Sequence, residues 1–143
     1  MRPVIELLKK QQSSTVWSLS PDTSVFEALQ TLADHDVGAL IVLDQGKLVG
    51  VFSERDYTRK IALQGKSSKD TPVRDIMTSK VLTVSSQTRT RECMALMSSR
   101  KIRHLPVLDG DTVVGMISIR DIMDDIIADH EATISQLQNY IAS

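Results

Sequence analysis

The sequence predicts a mixed α/β fold, of the α+β kind, in which two pseudo-symmetric β-α-β-β-α repeats pack face to face. The first observation behind this prediction is an internal repeat, because residues 16–61 align without a gap on residues 81–126. The second is a strand-to-helix corner that occurs once in each copy, as "GVFSERD" at 50–56 and as "GMISIRD" at 115–121. The third is that one copy is too short to bury a stable core, so two copies should cover each other's apolar faces.

Each copy begins with a short predicted strand and an amphipathic helix. The helix starts at a polar stretch, "SPDTS" in the first copy and "SSQTR" in the second, which supplies capping side chains. Apolar residues at helical spacing predict its buried face: Val25, Ala28, Leu29 and Leu32 in the first copy, Met94 and Met97 in the second. The single Cys93 lies in the second of these helices and is predicted to be a small core residue.

A hairpin and a second helix complete each copy. The buried strand reads "ALIVLD" or "LPVLD", the turn "QGK" or "GDT", and the partner strand "LVGVFS" or "VVGMIS". The final helix is predicted to begin at the Ser that ends this strand, Ser53 or Ser118.

The domain division follows the repeat. Residues 1–66 are predicted to be the first repeat with its lead-in helix, residues 67–130 the second repeat, and residues 131–143 a helical tail. The lead-ins themselves correspond, "PVIELL" with "PVRDIM", and a polar Ser- and Lys-rich stretch at 63–71 connects the copies. Ile134, Leu137 and Ile141 keep helical spacing in the tail, which should pack on the core or on another subunit.

Composition narrows the class of protein. The chain has 143 residues, of which 41% are hydrophobic and 24% charged, as in ordinary globular proteins. No apolar run approaches the ~20 residues of a membrane span, and no signal sequence is visible, so a cytoplasmic location is predicted. The net charge of −1 and the aromatic content of 3% argue against nucleic-acid binding.

The Ser-x-x-Asp pattern at the two corners has two interpretations. In the first, Ser53 and Ser118 are helix N-caps and Asp56 and Asp121 reach back to complete a capping box. In the second, the exposed N–H groups at the helix start attract a phosphate, and the carboxylate binds the neighbouring hydroxyls of a ribose. The pseudo-dyad favours the second interpretation, because it brings two such corners to a shared cleft and capping alone does not require the Arg that precedes each Asp.

At this point the sequence resembles a known family. "DIMT" at 75–78, "RHLPVLD" at 103–109 and the repeated Gly-x-x-Ser-x-x-Asp are similar to the tandem cystathionine-β-synthase (CBS) domain pair, over nearly the whole chain. The resemblance implies a flattened Bateman module, a disc-like homodimer of two pairs, and clefts that bind adenosine-containing ligands such as AMP, ADP, ATP or NAD. It implies no catalytic cofactor.

The resemblance also implies roles for individual residues. Asp56 and Asp121 would bind ribose. The phosphate and ribose set would be Ser53, Ser118, Arg55, Arg120, Arg103 and His104. The adenine slots would be lined by Val16, Trp17, Val81, Leu82, Met116 and Ile117.

The two copies differ where phosphate should lie. The second copy has Arg103 and His104, whereas the first has Gly38 and Ala39 at the same positions, so the two sites should be unequal. The alternative is that Arg103 and His104 form a solvated surface pair. His35 and His130 are predicted to be solvated helix residues, and no grouping of His, Cys and carboxylates has the spacing of a metal site.

The sequence therefore predicts a non-catalytic nucleotide sensor that acts through an unidentified partner protein or through its oligomer. No nucleophile triad, activated thiol or P-loop is visible, which argues against an enzyme. The main alternative is a structural or interaction scaffold whose corners are only caps. A nucleic-acid-binding protein that uses the scattered Lys and Arg residues is the weaker alternative.

Overall fold

The computed structural model describes residues 2–11 and 16–142. Residue 1, residues 12–15 and Ser143, which fall in the predicted first repeat and tail, lie outside the described part. The elements in chain order are α1 (Val4–Lys10), β1 (Ser18–Leu19), α2 (Val25–His35), β2 (Ala39–Asp44), β3 (Lys47–Ser53), α3 (Glu54–Tyr57, continued by a π-helical turn at Thr58–Ala62), a 3-10 turn (Val73–Asp75), β4 (Val84–Ser85), α4 (Thr90–Arg100), β5 (His104–Asp109), β6 (Thr112–Ser118) and α5 (Ile119–Ala142). The predicted mixed α/β fold with two β-α-β-β-α repeats is confirmed.

Two three-stranded sheets with the same topology form the frame. β2 is the central strand of the first sheet, parallel to β1 and antiparallel to β3, and β5 has the same place between β4 and β6. The registers correspond as well, because Ala39 lies opposite Ser53 and His104 lies opposite Ser118. The first residue of each central strand is thus held beside the Ser of each corner.

Two hydrophobic clusters fill the described part of the molecule, one in each repeat, and each is completed by the lead-in segment of the other repeat. The first cluster contains Val25, Leu40 and Phe52 of the first repeat together with Val73 and Ile76, which precede the second repeat. The second contains Leu105, Ile117 and Ile122 of the second repeat together with Val4 and Leu7 of α1. The lead-in segments are therefore exchanged, since the helix that precedes the first repeat completes the core of the second.

Backbone hydrogen bonds hold both lead-ins in the same way. Val4 N donates to Thr88 O at 2.8 Å, and the corresponding Val73 N donates to Thr23 O at 2.8 Å. Both valines are fully buried. The sequence division at residue 66 stays a prediction, but it assigns α1 to the first repeat, whereas α1 packs on the second.

The lead-ins differ in length, and this difference shapes the site. α1 runs from Val4 to Lys10 and carries its end toward β6 and α5, whereas the second lead-in has only the short turn at Val73–Asp75. After that turn, Thr78 forms a pair of backbone hydrogen bonds with Val51 of β3, at 3.0 and 2.9 Å. The second lead-in thus lies along β3 directly beside the first corner.

Burial confirms the role predicted for Cys93. Its side chain is fully buried in the second cluster, and desolvation raises the pKa of the thiol to about 11. A thiol of this kind is protonated and weakly reactive at neutral pH.

None of the helices in the described ranges, 2–11 and 16–142, has the length and apolar character needed to cross a lipid bilayer.

Candidate functional site: the cleft at Asp121

The two corners have the same capping geometry. Ser53 Oγ accepts a hydrogen bond from Asp56 N at 3.2 Å, while Asp56 Oδ2 accepts one from Ser53 N at 2.9 Å. At the second corner the corresponding distances are 3.2 Å to Asp121 N and 2.8 Å from Ser118 N. Each Ser hydroxyl also donates to the same Oδ2 atom, at 3.1 and 2.9 Å. The capping interpretation is therefore correct at both corners, but it uses only one carboxylate oxygen of each Asp.

The second oxygen of Asp56 is occupied by the protein itself. Asp56 Oδ1 lies 3.1 Å from Lys60 Nζ in an ion pair and accepts a hydrogen bond from Thr78 Oγ1 at 3.3 Å. Lys60 is held in place by a further bond of 2.8 Å to the carbonyl of Ile76. Asp56 is only 7% exposed, so this carboxylate is neutralised, satisfied and largely shielded from water.

The second oxygen of Asp121 has no such partners. Among the described residues, none donates a hydrogen bond to Asp121 Oδ1, and Asp121 is half-buried. A further hydrogen bond from the described residues runs from Gln11 Nε2 to Oδ2, at 3.4 Å. Within the described part of the chain, Asp121 thus has one acceptor oxygen without a donor.

Asp121 lines a cleft of about 1070 Å³ between the two repeats. The first repeat contributes Val16, Trp17, His35, Gly38 and Ala39 to its walls. The second repeat contributes Arg103, His104, Met116, Ser118, Arg120 and Asp121. Eight of the predicted site residues are thus brought together in one space, which is large enough for a nucleotide.

Trp17 forms one wall of the cleft by stacking on His35. The two rings are 3.6 Å apart between centroids and inclined by 16°. The prediction that His35 is solvated is therefore wrong, because the helix α2 turns its last side chain toward Trp17. His130 is exposed on α5, as predicted.

Arg103 and His104 differ in the charge that they can offer. Arg103 is exposed in the cleft and forms no ion pair with any residue that the structure describes. Burial lowers the pKa of His104, an effect that the Asp121 carboxylate opposes and that Arg103 reinforces. His104 is therefore mainly neutral at pH 7, and the positive charge in this part of the cleft comes from the Arg103 guanidinium.

The first copy makes room for these side chains. A Cβ atom added to Gly38 would lie 3.4 Å from His104 Cε1, so the small residue in the first copy faces the large one in the second. The difference predicted between the copies at this position therefore affects packing, because Gly38 leaves space for the His104 side chain.

Several predicted site residues lie elsewhere. Ile117 is fully buried in the second hydrophobic cluster, so it cannot line an adenine slot. The reason is the alternation of side chains along β6, which turns Met116 toward the cleft and Ile117 toward the core. Arg55 donates to the carbonyl of Lys101 at 3.0 Å, and it lies outside the cleft together with Ser53, Asp56, Val81 and Leu82.

The structure adds Gln11 to the site, and the sequence analysis missed it. Gln11 Nε2 donates to the carbonyl of Met116 at 3.1 Å and approaches Asp121 at 3.4 Å. It reaches the cleft because α1 packs on β6 and α5. No motif marks this residue in the sequence, since its place depends on the exchange of the lead-ins.

Lys60 was missed as well, although the aligned copies contain a signal for it. Lys60 follows Asp56 by four positions on the same helix, whereas Asp125 occupies the corresponding position after Asp121. An opposite charge at i+4 predicts an ion pair, and a like charge there predicts none.

In the described part of the chain, no group of three or more His, Cys, Asp or Glu residues is placed to hold a metal ion.

Comparison with known proteins gives the family. The CBS domain model matches the chain twice, over residues 12–63 and 73–128. The mitochondrial CBS domain-containing protein CBSX3 of Arabidopsis thaliana is 40% identical over 138 residues, which are 93% of this chain and 66% of that protein. The structure of a CBS-domain protein from Burkholderia ambifaria MC40-6 is 43% identical, with a TM-score of 0.86, and the match covers 89% of this chain and 95% of that one.

More distant structures contain ligands or larger assemblies. The CBS domain protein PAE2072 from Pyrobaculum aerophilum, in complex with AMP, is 28% identical, with a TM-score of 0.74, over 83% of this chain and 88% of its own. The CBS domain pair of MJ0100, in complex with 5-methylthioadenosine and S-adenosyl-L-methionine, is 26% identical, with a TM-score of 0.79, over 90% and 98%. The CBS-CP12 protein from bloom-forming cyanobacteria, which is 25% identical with a TM-score of 0.75 over 86% and 70%, is hexameric. With two matched repeats and these structural neighbours, the chain belongs to the CBS domain family.

Proposed function

We propose that this protein is a non-catalytic sensor that binds an adenosine-containing ligand in the Asp121 cleft. The observation that carries the proposal is the Oδ1 atom of Asp121, which lies in a cleft between the repeats and accepts no hydrogen bond from a described residue. Such a carboxylate oxygen accepts hydrogen bonds from the hydroxyl groups of a sugar. These hydroxyls are uncharged donors. The relatives solved with AMP and with S-adenosyl-L-methionine support an adenosine-type ligand, since adenosine is the chemistry that those ligands share.

The rest of the cleft suits the other parts of such a ligand. Trp17, Val16 and Met116 offer an apolar and aromatic wall to a base, and the carbonyl of Met116 is an acceptor for an exocyclic amine. Arg103 and Arg120 supply positive charge for a phosphate or another anionic group. The ligand must also displace or reorient Gln11, whose amide hydrogens now bond to Met116 and Asp121.

A ligand in this cleft would act on the arrangement of the two repeats. Trp17 belongs to the first repeat and Asp121 to the second, so one ligand that contacts both stabilises the arrangement in which they face each other. The signal then passes to a partner protein or to the oligomer. AMP, ADP, ATP and NAD stay the candidate ligands, and the absence of catalysis stays part of the proposal.

The test is a calorimetric titration of AMP, ADP, ATP, NAD and S-adenosyl-L-methionine into the wild-type protein and into two matched variants. Asp121→Asn keeps the shape of the side chain and only weakens the cap, but it removes the negative charge, so we expect binding to weaken about 100-fold, as for the loss of two hydrogen bonds to a charged group. Asp56→Asn is the control and should bind as the wild type does.

A fluorescence titration provides an independent readout. Trp17 is the only tryptophan of the chain, so its emission should change when a base enters the cleft beside it. Binding that is unchanged in Asp121→Asn would refute the proposed site. Absence of binding for all five ligands in folded protein would favour the alternative of a scaffold whose corners are only caps.

A further inference from the structure

The helix α5 carries an apolar stripe that the repeats do not cover. Its members are Met123, Ile127, Ile134, Leu137 and Ile141, which are 53%, 52%, 53%, 57% and 82% exposed. Among the described residues, six of the eight large exposed hydrophobic side chains lie on this one helix, the sixth being Tyr140. So many exposed hydrophobic side chains on a single helix indicate a contact surface, because on an ordinary protein surface such residues are scattered.

The stripe has the spacing of a coiled-coil seam. Ile127, Ile134 and Ile141 are seven residues apart and occupy one heptad position, a. Met123, His130 and Leu137 are also seven apart and occupy position d. Three successive heptads therefore present a continuous a/d face, interrupted only by His130.

This seam is separate from the face with which α5 packs on its own repeat. Ile122 and Asp125 are buried, and Ile126 packs against the second hydrophobic cluster. The seam lies about 100° around the helix from that face, given the ~100° between successive residues. The helix can therefore stay on the core and use the seam at the same time.

The second half of the helix is not packed against the core of the described structure. Residues 130–141 are all exposed. A helical segment of this length is marginal in water by itself, because helix formation is cooperative and most of its stability comes from packing. A partner on the seam supplies that packing.

The residues of the seam and its borders point to a second copy of this chain as the partner. The three a positions are isoleucine and one of the three d positions is leucine, and isoleucine at a with leucine at d favours two strands in a parallel coiled coil. The e positions along the seam are Asp124, Glu131 and Gln138, and the g positions are Ile126, Thr133 and Tyr140. Only e positions carry a charge, and in a parallel pair the e residues of one helix face the g residues of the other. Two copies side by side would meet no like charges there, and a charge-selected foreign partner would find few charges to pair with.

We propose that α5 forms a parallel two-stranded coiled coil with α5 of a second copy, through the seam from Met123 to Ile141. In this dimer His130 of one copy faces His130 of the other, and this polar layer sets the register. The surface extends beyond the second matched repeat, which ends at residue 128, and it does not depend on the nucleotide site.

Cysteine cross-linking tests the arrangement directly. Leu137→Cys places a thiol at d and Asn139→Cys places one at f, on the opposite side of the same helix. Under mild oxidation we expect Leu137→Cys to give a covalent dimer at a rate at least tenfold above that of Asn139→Cys. The native Cys93 does not interfere because it is buried, and the wild type controls for it. Equal rates for the two variants, or no dimer from either, would overturn the proposal.

Sedimentation equilibrium tests the same surface without new thiols. Ile134→Lys puts a charge into the seam, and Asn139→Lys makes the same charge change at f. We expect the dissociation constant of the dimer to rise at least 100-fold for Ile134→Lys and less than threefold for Asn139→Lys, while His130→Leu lowers it. Both lysines replace exposed side chains, so circular dichroism of the two variants should agree. A dissociation constant for Ile134→Lys equal to that of Asn139→Lys would contradict the seam.

Discussion

The corner at Asp56 and the corner at Asp121 have the same capping geometry and differ in what surrounds the second carboxylate oxygen. At Asp56 that oxygen is held by Lys60 and Thr78, whereas at Asp121 no described residue donates to it. In the first copy the motif therefore forms a helix cap with both carboxylate oxygens bonded. In the second copy one carboxylate oxygen receives no hydrogen bond from a described residue. The motif alone does not distinguish a cap from a binding site.

The charge four residues further along the helix explains the difference. Lys60 neutralises Asp56. Asp125, at the corresponding position of the second copy, is itself an anion and forms ion pairs with nearby cations. Lys10 Nζ lies 3.0 Å and Arg2 Nε 3.2 Å from the carboxylate of Asp125, which is only 7% exposed. Asp125 thereby engages Lys10 of α1 and Arg2, which precedes α1, and no described residue donates a hydrogen bond to the second oxygen of Asp121.

The largest expected effect is on the free energy of unfolding, and it depends on how closely each lead-in segment packs against its sheet. The three atoms nearest to a Cβ added at Gly50 include the backbone oxygen of Thr78, at 3.0 Å, whereas the three nearest to one added at Gly115 all belong to the Leu8 side chain, the closest at 2.9 Å. Backbone yields less readily than a side-chain end, so Gly50→Ala should lower the free energy of unfolding by about 3 kcal/mol and Gly115→Ala by about 1 kcal/mol. Urea denaturation measures both. Equal losses would show that the two lead-ins are packed alike.

The next prediction separates the two aspartates by stability. Asp56→Asn breaks the ion pair with Lys60 in addition to weakening the cap, so we expect a loss of about 2 kcal/mol, reduced from a fully buried pair because the Lys60 side chain is 41% exposed. Asp121→Asn weakens only the cap and should cost about 1 kcal/mol. The same denaturation experiment compares them, and a larger loss for Asp121→Asn would reverse the assignment of roles.

Phosphate recognition gives a third comparison. Arg103 lies in the cleft and forms no ion pair with a described residue, whereas Arg55 donates to the carbonyl of Lys101. Only Arg103→Gln should therefore weaken binding of AMP, by about tenfold, as for one charge-assisted hydrogen bond. Binding of adenosine, which has no phosphate, should not change in either variant. Calorimetry with both ligands decides this, and an equal effect of Arg103→Gln on AMP and adenosine would exclude a phosphate contact.

The smallest expected effect is the pH dependence due to His104. Its pKa is lowered from the ordinary 6.5, so below pH 6.5 the unfolded chain binds the proton before the folded one does. The free energy of unfolding should therefore be unaffected above pH 6.5 and should fall as the pH is lowered toward the folded pKa. The free energy of unfolding of His104→Gln should fall less steeply over the same range, because this variant lacks the His104 imidazole while its other histidines are unchanged. Identical pH profiles would mean that His104 titrates normally.

Much of the fold could be predicted because it depends on local patterns. The gapless repeat, the alternating strands and the polar helix starts predicted both β-α-β-β-α units, and the capping pattern predicted both corners. The placement of Ile117 was wrong although β6 itself was predicted, because the face of a strand depends on register and a shift of one residue inverts it. The prediction that His35 is solvated was wrong because its stacking partner, Trp17, is distant in sequence.

What the sequence by itself determined is the repeated unit, its helix caps and the identity of the groups at each corner, since these depend on contacts between residues a few positions apart. The tertiary structure alone decided that α1 crosses to the second repeat, that Gln11 reaches Asp121, and that Trp17 and Arg103 line one cleft. The physical reason is that apolar lead-ins are buried wherever a complementary core is open, and neither copy's sequence specifies which of two similar cores that will be. The inequality of the two aspartates follows from that choice.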